Sequence, residues 1–166
     1  MNAGGVCCTE PSRLSAEGDR TRPDLQLIIN GEQVLVDVTI RNPTTPSYYE
    51  CKDGSADEQL KSTVIAEQQK TNKYSAMAKA QDAKFLPFAC EVYGGIGKSA
   101  NKLLKQIYKS ARDQMLMWPY QQIVEHLRGT VAISIQKGNA IAILAGYARA
   151  VRRSAEGYRG LTAVSA

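Results

Sequence analysis

The chain has 166 residues, 43% hydrophobic and 22% charged, which suits one globular domain with its own core and argues against wholesale disorder. Lys and Arg outnumber Asp and Glu by 21 to 16, and residues 101–166 hold ten bases against three acids, so the acids collect in the first hundred residues. The best apolar stretch, AIAILAGYA at 140–148, is about half the ~20 residues of a membrane helix, so no membrane role is expected.

Four cysteines (Cys7, Cys8, Cys51, Cys90) at irregular spacing and a single histidine, His126, offer no zinc pattern and predict reduced, intracellular thiols. The N-terminal MNAGGVCCTEPSR has no apolar core of a secretory signal. Residues 1–21 read as a flexible lead-in, with a short helix around SRLSAEGDR.

The clearest local signal follows. In RPDLQLIINGEQVLVDVTIRNP, two β-rich runs flank Asn30-Gly31, the favoured pair for a two-residue type I′ turn. Residues 44–55 read as a loop and residues 56–83 as a helix. KFLPFACEVY, at 84–93, reads as a strand ended by Gly94-Gly95, with Pro87 pointing to a sheet edge or bulge. A helix opening near Lys98 carries Leu103, Leu104, Ile107 and Tyr108 as an apolar stripe. Trp118-Pro119 starts more helix, divided in two at Gly138-Asn139, and the tail from Ser154 reads as loose. The division is therefore a lead-in over 1–21, a core over 22–115, a helical extension over 116–153 and a tail over 154–166. The strand–strand–helix–strand–helix order predicts an α/β core, a mixed sheet flanked by helices, with a helical C-terminal third.

The hairpin register has a chemical consequence. A two-residue turn at 30–31 sets Asp24 opposite Asp37, with Cβ atoms roughly 4.5–5.5 Å apart. Leu35 and Thr39 share the face of Asp37, while Val34, Val36, Val38 and Ile40 line the other. Like charges face to face on an apolar strand pair repel, and a divalent cation such as Mg²⁺ between them removes the conflict. Two solvated aspartates are the plain alternative. On the following helix, AEQQKTNKY sets Lys70 and Lys73 three apart, with Tyr74 four after Lys70 and Glu67 three before it. A lysine beside the acids suits phosphate chemistry; a solvated charged face is its plain alternative.

Together, RPD, twelve residues, DVTI, then AxxxKxxKY on a helix and FxPFxxExxGG resemble the restriction-like endonuclease domain of site-specific non-LTR retrotransposon polyproteins, within the PD-(D/E)xK nuclease superfamily. The resemblance spans about Arg22 to Leu104. It implies a restriction-endonuclease-like fold and Mg²⁺-dependent (or Mn²⁺-dependent) cleavage of a chromosomal DNA strand, whose free 3′-hydroxyl primes reverse transcription. It implies a nuclear protein whose partners are DNA, element RNA and the reverse transcriptase of the same polyprotein. Asp24 and Asp37 match the two acids that hold metal, and Lys70 the catalytic lysine, taken from the helix because Thr39 stands where the wider superfamily has lysine. Lys73 and Tyr74 are further candidates. So are Glu91 at the end of the third strand and Glu10 or Glu17 in the lead-in. Arg22, Lys73, Lys98, Lys102 and Lys105 are the expected DNA contacts, with Lys109 and Arg112 extending the basic face.

Two rivals remain. GGIGKS at 94–99 follows a strand and opens a helix as a phosphate-binding loop does, but Val92 stands where a Walker A loop needs its first glycine. The other rival is an inactive element-derived fragment that binds nucleic acid or protein without cutting.

Overall fold

The computed structural model describes residues 7–9, 22–46, 58–111 and 119–162. Its centre is a four-stranded mixed sheet in the order β1-β2-β3-β4, formed by Cys7–Thr9, Leu25–Ile29, Glu32–Arg41 and Lys84–Glu91. The turn between β2 and β3 is the expected one. Asn30 (φ 53°) and Gly31 (φ 79°) are both left-handed, which a type I′ turn requires and which Asn and Gly tolerate best. The resulting register pairs Leu25 with Val36 and Ile29 with Glu32. β4 runs parallel to β3, with Pro87 beside Asp37. It lies at the sheet edge, where the missing proline N–H costs no ladder bond.

The sheet is covered on both sides. Helix α1 (Lys61–Ala80) packs on the face of Leu35 and Asp37, with the Tyr74 ring stacked on Phe85 at 5.1 Å. Its C-terminus closes with Asp82 in the left-handed region and the Ala83 amide donating to the Ala78 carbonyl, a Schellman-type ending. Helix α2 (Lys98–Ala111) covers the opposite face, where Leu103 is buried with Ile29, Val34 and Val36. The buried residues of central β3 are Val34, Leu35, Val36 and Asp37, and the aspartate is the only polar one among them. Helix α3 (Tyr120–Thr162) packs its first half on α2 and β4 through Ile135, beside Ile96, Ala100 and Leu104.

Three sequence expectations are corrected. Part of the lead-in, Cys7–Thr9, is a strand on the outer edge of β2, pairing through backbone bonds that its short sequence does not advertise. The expected break at Gly138-Asn139 is absent: α3 is one helix of 43 residues, about 65 Å at 1.5 Å per residue. Asn139 instead donates to the Val92 carbonyl at 3.0 Å, and Gln136 to the same oxygen at 2.8 Å. The backbone of α3 also stays helical to Thr162, into the segment from Ser154 expected to be loose. No helix among the described residues is long and apolar enough to cross a membrane. The expected helix around residues 12–20 lies outside the described residues.

Candidate active site

Asp37 is the anomaly of the core. It sits mid-strand on β3, 4% exposed, where an ionised carboxylate pays a desolvation cost unless a cation accompanies it. The cation is Lys70: its Nζ lies 2.7 Å from Asp37 Oδ2, delivered from the inward face of α1. At that distance the ammonium is the partner of Oδ2, which is otherwise shielded from solvent. Tyr74, one turn further along α1, is buried on the same face, so Lys70 shares the stripe that packs on the sheet.

Asp24 precedes the first residue of β2 and is solvent-exposed. The register sets it across from Asp37 as expected, since Leu25 pairs with Val36. Its own carboxylate, however, turns to the backbone: the Val38 N–H donates to Asp24 Oδ2 at 2.6 Å. The two acids therefore occupy different surroundings, one exposed and bonded to an amide, the other buried and paired with an ammonium. Lys70 and a backbone amide relieve the like-charge conflict that the sequence suggests.

The remaining candidates divide. Lys73 is exposed, with its ammonium 4.8 Å from the centre of the Tyr74 ring, and does not pair with Asp37. Lys70 Nζ lies 5.9 Å from that centre, so one ring carries both cations. Tyr74 is 3% exposed and donates its hydroxyl to the Arg22 carbonyl at 3.0 Å. Glu91 is not at the site. It lies four residues beyond Pro87, the β4 partner of Asp37, about 13 Å along the strand, and accepts from Ser62 Oγ at 2.8 Å. Lys98, Lys102 and Lys105 are exposed on α2, which covers the sheet face opposite Lys70, whereas Arg22 and Lys73 lie on the side of the acids. Glu10 and Glu17 fall outside the described residues.

Glu67 carries a role the sequence analysis missed. Its Oε1 accepts the Ser99 N–H at 2.9 Å, so a carboxylate from α1 caps the N-terminus of α2, the favourable end for negative charge. Gly97 makes this possible, because a Cβ there would fall 2.3 Å from Glu67 Oε1 and 3.0 Å from the Ala89 carbonyl oxygen. A glycine one residue before a helix and an unassigned acid on a neighbouring one were the available signals. Burial, and then the Glu67 charge, push the nearby Cys90 thiol up to about 11.

The same contacts bear on GGIGKS. The Gly97 amide donates to Ala89, the Gly94 amide to Glu91 and the Ser99 amide to Glu67. Three of the loop's backbone donors are taken in this way, and a carboxylate already sits at the N-terminus of α2.

Among the described residues there is no cluster of three or more His, Cys, Asp or Glu side chains set to hold a metal. Two carboxylates remain, Asp24 and Asp37. No family model, no curated protein and no solved structure matches the chain.

Proposed function

We propose that this chain is a divalent-metal-dependent DNA endonuclease of the restriction-like type, a nuclear protein that nicks a strand of chromosomal DNA. The observation that carries the reading is the Lys70–Asp37 contact: a helix lysine set on a mid-strand carboxylate, with the second acid, Asp24, at the paired position of the hairpin. The antiparallel hairpin, the parallel β3–β4 pair and helices on both faces support a restriction-endonuclease-like core.

Asp24 and Asp37 would hold the metal. Hard carboxylate oxygens suit Mg²⁺ or Mn²⁺, and Mg²⁺ is commonly bound by one or two carboxylates with water and phosphate completing its shell. The solvent-shielded Oδ2 of Asp37 is held by the Lys70 ammonium alone, and would become such a ligand once that lysine moves aside. When bound, the ion supplies Lewis acidity and a more acidic water. Lys70 swings on its flexible stem from Asp37 to a non-bridging phosphate oxygen, where it stabilises the negative charge that grows as water adds to phosphorus. The phosphorus–oxygen bond to the leaving strand breaks, giving a 5′-phosphate and a free 3′-hydroxyl. Lys73 and Arg22, on the same side, meet the DNA backbone.

One observation favours a second reading. The Asp24–Val38 and Asp37–Lys70 contacts satisfy the site internally, as a binding module without catalysis would require. Nicking of supercoiled plasmid decides between them. The wild-type chain should nick in Mg²⁺ and not in EDTA. Asp37→Asn and Lys70→Ala should each lower the rate at least about 100-fold, the scale for losing a transition-state electrostatic contact, with DNA binding within about twofold. Metal-independent or absent nicking by the wild type overturns the endonuclease reading.

A further inference from the structure

The Asp24 segment and the Lys70 helix are separate elements of the core, and one side chain ties them. Tyr74 sits one turn after Lys70 on α1, and its hydroxyl donates at 3.0 Å to the carbonyl of Arg22, two residues before Asp24. Its ring is fixed from below by Phe85 at 5.1 Å and flanked by the ammonium groups of Lys70 and Lys73. Between Arg22 and Asp24, Pro23 is fully buried. The segment thus enters β2 with its carbonyl pinned by Tyr74, its proline packed and its carboxylate on the Val38 amide. The ring stack supplies packing. The hydroxyl supplies a distance, because it is a direct bond between the element carrying Lys70 and the segment carrying Asp24.

We infer that Tyr74 is a positioning residue: its hydroxyl sets the Asp24 carboxylate in register with Asp37 and Lys70, and so prepares the acid pair for a divalent cation. The cation part of this inference rests on the proposed endonuclease reading; the tether itself does not. Tyr74→Phe keeps the ring, the stack and both cation–π contacts while removing the hydroxyl that makes the tether. Phe85→Leu does the converse.

The test is amide hydrogen exchange on the full chain, read at Val38, whose N–H is held by Asp24, against Val34, Leu35 and Val36 in the same strand. Tyr74→Phe should speed exchange at Val38 roughly five- to tenfold, the equivalent of one net hydrogen bond, with the other three amides unchanged. Phe85→Leu should move all four together, as general destabilisation does. Uniform acceleration in Tyr74→Phe, or none at Val38, overturns the positioning role. A calorimetric Mn²⁺ titration reads the cation part: the dissociation constant should rise by a similar factor in Tyr74→Phe, and equal affinities overturn it. A wild-type chain that binds no Mn²⁺ defeats the cation part together with the endonuclease reading, while exchange at Val38 still decides the tether.

Discussion

Replacing Lys70 by Met keeps most of the side-chain volume and removes the charge, so it isolates what the ammonium does for Asp37. The Asp37 side chain is 5% exposed and that of Lys70 is 24% exposed. Removing one partner of a fully buried pair costs about 3–5 kcal/mol, because the surviving charge stays buried and uncompensated. Water reaches the lysine end here, so the cost falls below that range, to about 2–3 kcal/mol. At 2–4 °C per kcal/mol for a chain of this size, the melting temperature should fall by roughly 4–12 °C. Asp37→Asn should cost much less, since an exposed-side lysine can turn to solvent whereas a mid-strand carboxylate cannot. In a double-mutant cycle, Lys70→Met with Asp37→Asn should recover most of the loss, with a coupling of about 1–3 kcal/mol. Thermal and urea melts in EDTA read all four proteins. If Lys70→Met melts within 1 °C of wild type, the carboxylate does not depend on this lysine and the reasoning is wrong. The same variant should be stabilised by Mn²⁺ more than the wild type, because a divalent cation then replaces the missing positive charge instead of competing with it.

The other predictions address the rest of the core. Gly97→Ala should destabilise by about 1–3 kcal/mol, because its Cβ falls 2.3 Å from Glu67 Oε1 and the Ala89 carbonyl blocks retreat; a melt equal to wild type would show that Glu67 does not cap α2. Raising the pH from 9 towards 11 should lower stability, because the unfolded Cys90 thiol ionises near its usual value while the folded one holds its proton until about 11. Cys90→Ala should flatten that slope, and an unchanged slope would refute the assignment. Gly138→Ala should stabilise by up to about 1 kcal/mol, since the added methyl meets nothing within 4 Å and glycine is a poor helix former; destabilisation would mean that the helix breaks there after all.

Much of this architecture is legible from local chemistry. Asn30-Gly31 specifies its turn because few residue pairs tolerate two left-handed positions, and the turn then fixes the register that sets Asp24 across from Asp37. Pro87 announces a strand edge for the equally local reason that it has no amide to donate. What is not legible depends on long-range packing. Gly138 and Asn139 are weak helix formers, and sequence alone reads them as a break; tertiary bonds from Gln136 and Asn139 to the Val92 carbonyl override that preference. The strand Cys7–Thr9 draws its pairing from β2, not from its own three residues. Glu91, four residues past the level of Asp37, looks like a site acid only until the parallel register of β4 is known.

The acid–lysine arrangement shows why reading the pair of aspartates as mutually repelling is incomplete. Electrostatic conflict is a property of surroundings, and the helix contributes as much to them as the hairpin does. Asp24 stays exposed and uses its carboxylate on the Val38 amide, which a charged acceptor bonds more strongly than a neutral one. Asp37 cannot reach solvent, so the fold brings a cation to it from 33 residues further along the chain. A lysine serves that purpose better than an arginine would if the contact must also be broken. Its ammonium is a compact point charge on a flexible stem, without the two-pronged grip that would lock the carboxylate. The interaction that makes the fold tolerate Asp37 is therefore one that a divalent cation, on the proposed reading, would displace.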